Sequence, residues 1–364
     1  MEGSDAGLGG AGVTGFEVVP FSLPFRHPYV TARGILERRE MVLLRIRTNA
    51  GLEGLGEAVP LSLRGGESLD HVVGELRGLA GEFESASRQE RAQMLARAFT
   101  ELSAPSRCAL LTAWLDLAGR FEDQPTWRLL GAADASPLAC NATLTADEPH
   151  AVAEQAEAWA AEGYSTFKLK LGLSHDVEQF AAVREAVGPQ ARLRVDANGT
   201  WSPAEAKEKL AQISEHDLEL AEQPCSSLED LAEVRAASGT WIAADESVAS
   251  PEDAERAAQA RACDFTTLKL SKVGGPSPAQ AISARIPSYM SSALDGPVGI
   301  AAAGHTAQAL DADPGLAHGL ATQRLFAETI ASRECELRDG QLHLAAGPGL
   351  GVEIDDAALE HARL

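Results

Sequence analysis

From about Pro137 onward, short apolar runs alternate with helical stretches at intervals of roughly 20–27 residues, a rhythm that few folds accept. The apolar runs are Leu138–Thr143, Ser165–Lys170, Arg192–Asp196, Leu218–Glu222, Trp241–Asp245, Asp264–Lys269, Pro287–Ser292 and about Leu316–Leu320. The stretches between them carry helical periodicity, among them Pro149–Glu162, His175–Val187, Pro203–Ile213 and Pro251–Ala260. Eight units of this kind predict an α/β fold, a (β/α)8-type barrel over residues 137–325, with a modified last unit. A doubly wound open sheet is the competing fold. It would want a glycine-rich phosphate turn after its first strand, and Asn141-Ala142-Thr143-Leu144 is not one.

Residues 14–136 have a different texture. Gly15–Phe21, Arg38–Thr48 and Leu52–Val59 read as strands, and Asn49-Ala50-Gly51 supplies a hairpin turn between the last two. Pro24-Phe25-Arg26-His27-Pro28-Tyr29 is expected to be a loop that does not pair easily, because proline withholds a backbone donor. Helical periodicity runs from about Ser68 to Arg120. This is an α+β module. The tail, residues 326–364, holds short strand-like runs around Gly347-Pro348-Gly349 and is expected to return to that module. Residues 1–13 are glycine-rich and expected to be disordered.

Charge narrows the choice of partner. With 53 acidic against 31 basic residues, the net charge of −22 argues against nucleic acid and anionic membranes. The five cysteines are odd in number and never spaced as CxxC, which disfavours a zinc site or a disulfide framework and favours a reducing compartment. The N-terminus lacks a basic, then apolar, leader, and no run reaches the ~18 apolar residues of a membrane helix. A cytoplasmic protein is expected.

Barrel chemistry gathers at the C-terminal strand ends. Read in order, those ends are Lys168 and Lys170, Asp196, Glu222, Asp245, Lys269, and Ser291 with Ser292. Alternation puts Lys168 and Lys170 on one face, where two close ammonium groups lower the proton affinity of one of them. Neighbouring strands lie about 4.8 Å apart, so three successive carboxylates can converge on one cation. Oxygen-only ligands favour Mg2+ or Mn2+. Such a cation binds a substrate carboxylate and stabilises the enediolate formed when the α-proton leaves. Lys170 and Lys269 flank it on either side. Taken alone, each member has a plainer reading: a single strand-end aspartate is a helix cap about as often as a ligand. Glu246 is expected to point away from the ligand set and Lys272 to be a solvated loop lysine. Asn198 either joins the metal shell or shapes a turn. His27, His305 and His318 have no visible partner, so structural roles lead.

The ordered set Lys168-x-Lys170, Asp196-x-Asn198, Glu222-Gln223-Pro224, Asp245-Glu246-Ser247 and Lys269 before Val273-Gly274-Gly275 resembles the enolase superfamily, in its muconate lactonizing enzyme subgroup. The resemblance spans nearly the whole chain, including the α+β module, which it implies caps the barrel. It implies that Lys170 is the base, Lys269 its partner on the opposite face, and Asp196, Glu222 and Asp245 the Mg2+ ligands. Ser291-Ser292-Ala293-Leu294-Asp295 and Asp196-Ala197-Asn198-Gly199-Thr200-Trp201 are similar to o-succinylbenzoate synthases of menaquinone biosynthesis, as is Gly319-Leu320-Ala321-Thr322. That implies a small carboxylate substrate, dehydrated, with Lys168, Asn198, Ser291 and Ser292 as substrate-binding residues. Dipeptide epimerases would carry Asp-x-Asp on the eighth strand, and Gly315-Leu316-Ala317-His318-Gly319-Leu320 has no acid. The long glycine-rich tail departs from the synthase pattern and is more usual in racemases and cycloisomerases. An N-acyl amino acid racemase, a cycloisomerase and a non-catalytic barrel are the alternatives. Barrels of this family often assemble, so a homo-oligomer is compatible.

Overall fold

The structure is a computed structural model that describes residues 12–31, 34–61, 66–145, 148–171, 175–310 and 315–364. Most of the glycine-rich start and residues 62–65 of the loop after Pro60 lie outside the described residues.

Strands β1 (Val13–Thr31), β2 (Gly34–Thr48) and β3 (Glu53–Ala58) form an antiparallel sheet in sequence order. The continuous apolar run Met41–Leu44 reflects burial of both sheet faces. Met41 and Leu43 face the barrel core, while Val42, Leu44 and Ile46 pack with Val72, Leu76, Leu110 and Leu117 of helices α1 (Leu69–Ser85) and α3 (Ala104–Glu122). Helix α2 (Arg88–Glu101) lies between them in sequence and begins with a capping box at Ser87 and Glu90. At Gly54 and Gly56 of β3, a Cβ would overlap the carbonyl oxygens of Ala113 and Ala109 on α3, so only glycine permits this approach.

The proline-containing segment Pro24–Tyr29 pairs with β2 only at its two ends, in keeping with its poor fitness for pairing. Pro24 stands opposite Arg38 and Tyr29 opposite Leu36, with a register shift between them that absorbs the second proline. Phe25 then stacks on Phe326 with ring centroids 4.9 Å apart.

After the short helix α4 (Thr126–Leu129), the run expected as one strand is split in two. β4 (Leu138–Ala139) pairs antiparallel with the tail, and the first barrel strand is β5 (Ala142–Leu144). Then follow α5 (Pro149–Ala160), β6 (Thr166–Lys170), α6 (Asp176–Val187), β7 (Arg192–Asp196), α7 (Pro203–Ser214) and β8 (Leu218–Glu222). Next come α8 (Leu228–Ala237), β9 (Trp241–Ala244), α9 (Pro251–Ala260), β10 (Phe265–Leu268), the single turn α10 (Leu270–Val273), α11 (Pro276–Ser283), β11 (Ser288–Met290) and α12 (Pro297–Ala307). Strands β5 to β11 make one parallel sheet in chain order. The eighth apolar run is not a full strand. It joins the two sheet edges by single bridges, Cys140 with His318 and Ser291 with Gly319, and so closes the ring. The fold is thus a capped (β/α) barrel, as read from the sequence.

The tail serves both parts. β12 (Ala331–Arg333) pairs with β15 (Glu353–Ile354), while β13 (Glu336–Arg338) and β14 (Gln341–His343) extend to β4. Helix α13 (Asp356–Ala362) then lies against the capping sheet, with Asp356 bonded to Arg45 at 2.6 Å and Arg363 bridged to Phe21. Cap and barrel meet through polar contacts as well. Arg39 donates to the Ala293 carbonyl at 3.0 Å, Val59 N–H to Ser271 Oγ at 3.1 Å, and Gly296 N–H to Glu57 Oε1 at 2.7 Å.

Candidate active site

Parallel register sets Lys170 beside Asp196 and Asp196 beside Glu222, so three neighbouring strand ends deliver charge to one point. Asp245 follows β9 by one residue and Lys269 follows β10 by one. Asp196, Glu222 and Asp245 are fully buried, and one oxygen from each lies within 4.8 Å of the others. Three carboxylates placed this way can hold a metal ion, and their all-oxygen donor set suits a hard cation.

Lysines bracket the acids. Lys170 Nζ donates to Asp196 Oδ2 at 2.5 Å and to Asn198 Oδ1 at 3.2 Å. Lys168 reaches Asp196 at 3.4 Å and both oxygens of Glu222 at 3.1 and 3.2 Å. On the far side Lys269 Nζ donates to Asp245 Oδ2. Burial alone would lift the Asp196 carboxyl, but Lys170, Lys168 and Lys269 hold it well below the usual carboxylate range. Glu222 is raised, first by burial and then by the Asp196 charge. Burial pulls Lys168 down, yet Glu222, Asp196 and Asp245 outweigh it, so its proton affinity is raised. The repulsion expected to depress one lysine therefore does not act on Lys168: carboxylates surround it. Its geometry is that of an anchor for two of the acids.

Two expectations from sequence change here. Lys272 is not a solvated loop lysine. The single turn of α10 folds it back, so its Nζ bonds Asp245 Oδ1 at 2.9 Å and the Thr267 carbonyl at 3.0 Å. Gly274, at φ +90, ends that turn, and Gly274-Gly275 was the signal available for it. Glu246 stays out of the carboxylate cluster but is not idle, since its Oε1 accepts from Asn198 Nδ2 at 3.0 Å. Asn198, at φ +48, shapes the turn and receives Lys170 as well. Gln223 was not singled out by sequence. Its Oε1 accepts the Asp245 N–H at 2.7 Å and its Nε2 donates to the Cys225 carbonyl at 2.8 Å, which stitches the β8 and β9 ends together.

The two serines part company. Alternation turns Ser291 inward, where it bridges Gly319, and a Cβ on Gly319 would come within 2.6 Å of Ser291 Oγ. Ser292 Oγ instead donates to Asp295 Oδ2 at 2.7 Å and accepts the Asp295 N–H at 2.8 Å, so it belongs to the turn before α12. The histidines are structural in geometry where they are bonded. His305 Nδ1 accepts the Trp127 N–H at 3.0 Å and His318 Nδ1 the Met290 N–H at 3.0 Å. Burial pushes both rings down to about 4.

Comparison with known proteins agrees with this architecture. Residues 14–131 match the mandelate racemase / muconate lactonizing enzyme N-terminal domain, and residues 151–358 match the enolase C-terminal domain-like family. The chain belongs to the enolase superfamily and is an enzyme of that superfamily. The solved structure of muconate lactonizing enzyme from Pseudomonas fluorescens complexed with muconolactone superposes with a TM-score of 0.91 at 26% identity, over 98% of this chain and 100% of that one. D-Ala-D/L-Ala epimerase of Cytophaga hutchinsonii is 32% identical over 81% of this chain and 83% of its own. The o-succinylbenzoate synthase of Thermobifida fusca is 38% identical, over 51% of this chain and 60% of its own. Among the described residues no helix is long and apolar enough to cross a membrane.

Proposed function

We propose that the protein removes a proton α to a carboxylate and, in doing so, dehydrates 2-succinyl-6-hydroxy-2,4-cyclohexadiene-1-carboxylate to o-succinylbenzoate. The observation that carries the chemistry is the placement of Lys170 and Lys269 on opposite flanks of the three buried carboxylates. Support for the substrate comes from the synthase of Thermobifida fusca and from the acid-free segment Leu316–Leu320.

Asp196, Glu222 and Asp245 would hold Mg2+, or Mn2+ in its place, whose charge favours binding of the substrate carboxylate and of the negative charge that develops there. Lys170, as the free amine, takes the ring proton, and the C–H electron pair becomes a ring double bond. The ammonium so formed returns its proton to the departing hydroxyl on the same face, the C–O bond breaks, and water leaves an aromatic ring. Lys269 stays charged on the opposite face. Asn198 would keep Lys170 aimed, and the hydroxyl of Ser291 would donate to the distal substrate groups. The segment from Pro24 to Tyr29, whose Phe25 stacks on Phe326, would exclude water from the site.

In the same reading the capping domain is 14–136, the barrel 137–325 and the returning segment 326–364. The five buried, free cysteines fit a cytoplasmic location.

The test is the formation of o-succinylbenzoate with Mg2+ present. Lys170→Ala and Lys269→Ala should each lower kcat by at least about a thousandfold, the upper part of the range for a positioned acid–base group. Turnover at the wild-type rate in either variant defeats the assignment. A second reading, racemisation of an N-succinyl amino acid, is favoured by the same two-sided lysine pair, which can exchange protons on both faces. Solvent deuterium entering such a substrate faster than o-succinylbenzoate forms would select it.

A further inference from the structure

Below the carboxylate cluster, the barrel interior holds an unusual filler. Interior layers of such barrels are dominated by branched apolar side chains. Here the position on β11 is Tyr289, 1% exposed, packed in an apolar collar of Leu220, Ala243, Phe265 and Leu316. A phenylalanine would fill this space without a polar atom to satisfy, and a buried hydroxyl costs free energy unless it is bonded.

The hydroxyl is bonded on both sides, and the direction of each bond is set. Thr267 Oγ1 donates to the Tyr289 oxygen at 2.8 Å. The phenol's one proton goes to Glu222 Oε2 at 2.7 Å. The ring is held from one face by the Arg194 guanidinium, 5.1 Å from its centroid. Arg194 is itself fixed by Glu219 Oε2 at 2.5 Å and the Ala317 carbonyl at 2.8 Å. Glu222 Oε2 thus receives two donors, Tyr289 and Lys168, whereas Oε1 receives Lys168 alone.

We propose that Tyr289 is a positioning residue for the divalent cation site: its phenol pins Glu222 Oε2 from below and so presents Oε1 to the cation. The proposal rests on the reading of Asp196, Glu222 and Asp245 as metal ligands. Groups that orient a ligand from behind commonly change metal affinity by 10–100-fold when removed. The phenol's bonds are to Thr267 and Glu222, so Tyr289 acts through Glu222.

The test is a Mn2+ titration of the purified protein, followed by the electron paramagnetic resonance of free Mn2+, with the Tyr289→Phe variant beside wild type. The variant should bind roughly tenfold more weakly, while its metal-free melting temperature stays within a few degrees of wild type. A second readout uses the tyrosines, of which the chain has three. Mg2+ should produce a tyrosine difference spectrum in the wild type that is absent in Tyr289→Phe, an effect that mere packing would not give. Thr267→Val, nearly isosteric, frees the phenol to turn and should show a smaller loss of affinity with the spectrum retained. Equal Mn2+ affinity in wild type and Tyr289→Phe overturns the proposal and leaves the ligand set standing. A wild type that binds no Mn2+ at millimolar concentration overturns the ligand set and the proposal together.

Discussion

Ser291 and Ser292 are adjacent in sequence and opposite in consequence. The Ser291 hydroxyl enters the space beside Gly319, whereas the Ser292 hydroxyl is spent on Asp295. Gly319→Ala would drive its Cβ against Ser291 Oγ and should lower kcat/KM about tenfold, near 1.4 kcal/mol of transition-state binding. Ser292→Ala should leave kcat/KM within about twofold and lower stability by ~1–2 kcal/mol, the scale of a lost buried hydrogen bond. Steady-state kinetics and urea titration of both variants check this, and a large kinetic effect at Ser292 with none at Gly319 would reverse the assignment. The same pair shows how far residue-level reading reaches. The three acids and Lys170 and Lys269 stood out because each ends an apolar run. Lys272 did not, because a one-turn helix leaves no periodic trace, and Tyr289 did not, because an aromatic within a strand looks like ordinary core.

Strands β7 and β8 begin and end where the sequence runs do, each run closing on a buried acid of the carboxylate cluster. The segment from Pro24 to Tyr29 pairs with β2 only at its ends, as its prolines imply, and what the sequence does not show is that Phe25 between them stacks on Phe326, distant in sequence. Only the fold brings those rings together. Strand β3 owes its packing to absent side chains: at Gly56 a Cβ would meet backbone of α3, which cannot swing aside as a side chain could. Gly56→Ala should therefore cost about 3 kcal/mol, at the upper end for overpacking. The urea midpoint reads it directly, and an unchanged midpoint would mean that α3 does not sit against β3.

Cap and barrel are joined through a buried carboxyl. Glu57 on β3 accepts backbone N–H bonds at the start of α12, yet burial first, and the nearby Asp295 charge second, push it up to about 8. The sign follows from proton binding. Below about pH 4.5 the carboxyl is protonated in both folded and unfolded chains; between there and pH 8 only the folded chain keeps the proton, so this group's contribution to stability falls as pH rises and levels off above 8. The full loss is on the order of 5 kcal/mol at most. Glu57→Gln removes this dependence. Melting curves from pH 5 to 9 should show wild type losing stability relative to the variant, and parallel curves would refute it. The sequence showed that a cap existed but not what fastens it, because Glu57 reads as one more strand acid among many.

The ring of parallel strands has a weak join. Seven strands are hydrogen-bonded in series, and the segment that completes the circle touches its neighbours at His318 and Gly319 through single bridges. The groups proposed to move the proton and hold the cation stand on or just after β6 to β10, whereas Ser291 and Gly319 stand on the join. A molecule built this way can be retuned at one place without disturbing the other. Laboratory selection for new substrates should accumulate accepted changes between residues 291 and 320, and leave the opposite arc of the ring untouched. Relatives with unlike reactions can then share one catalytic half and differ chiefly in the other.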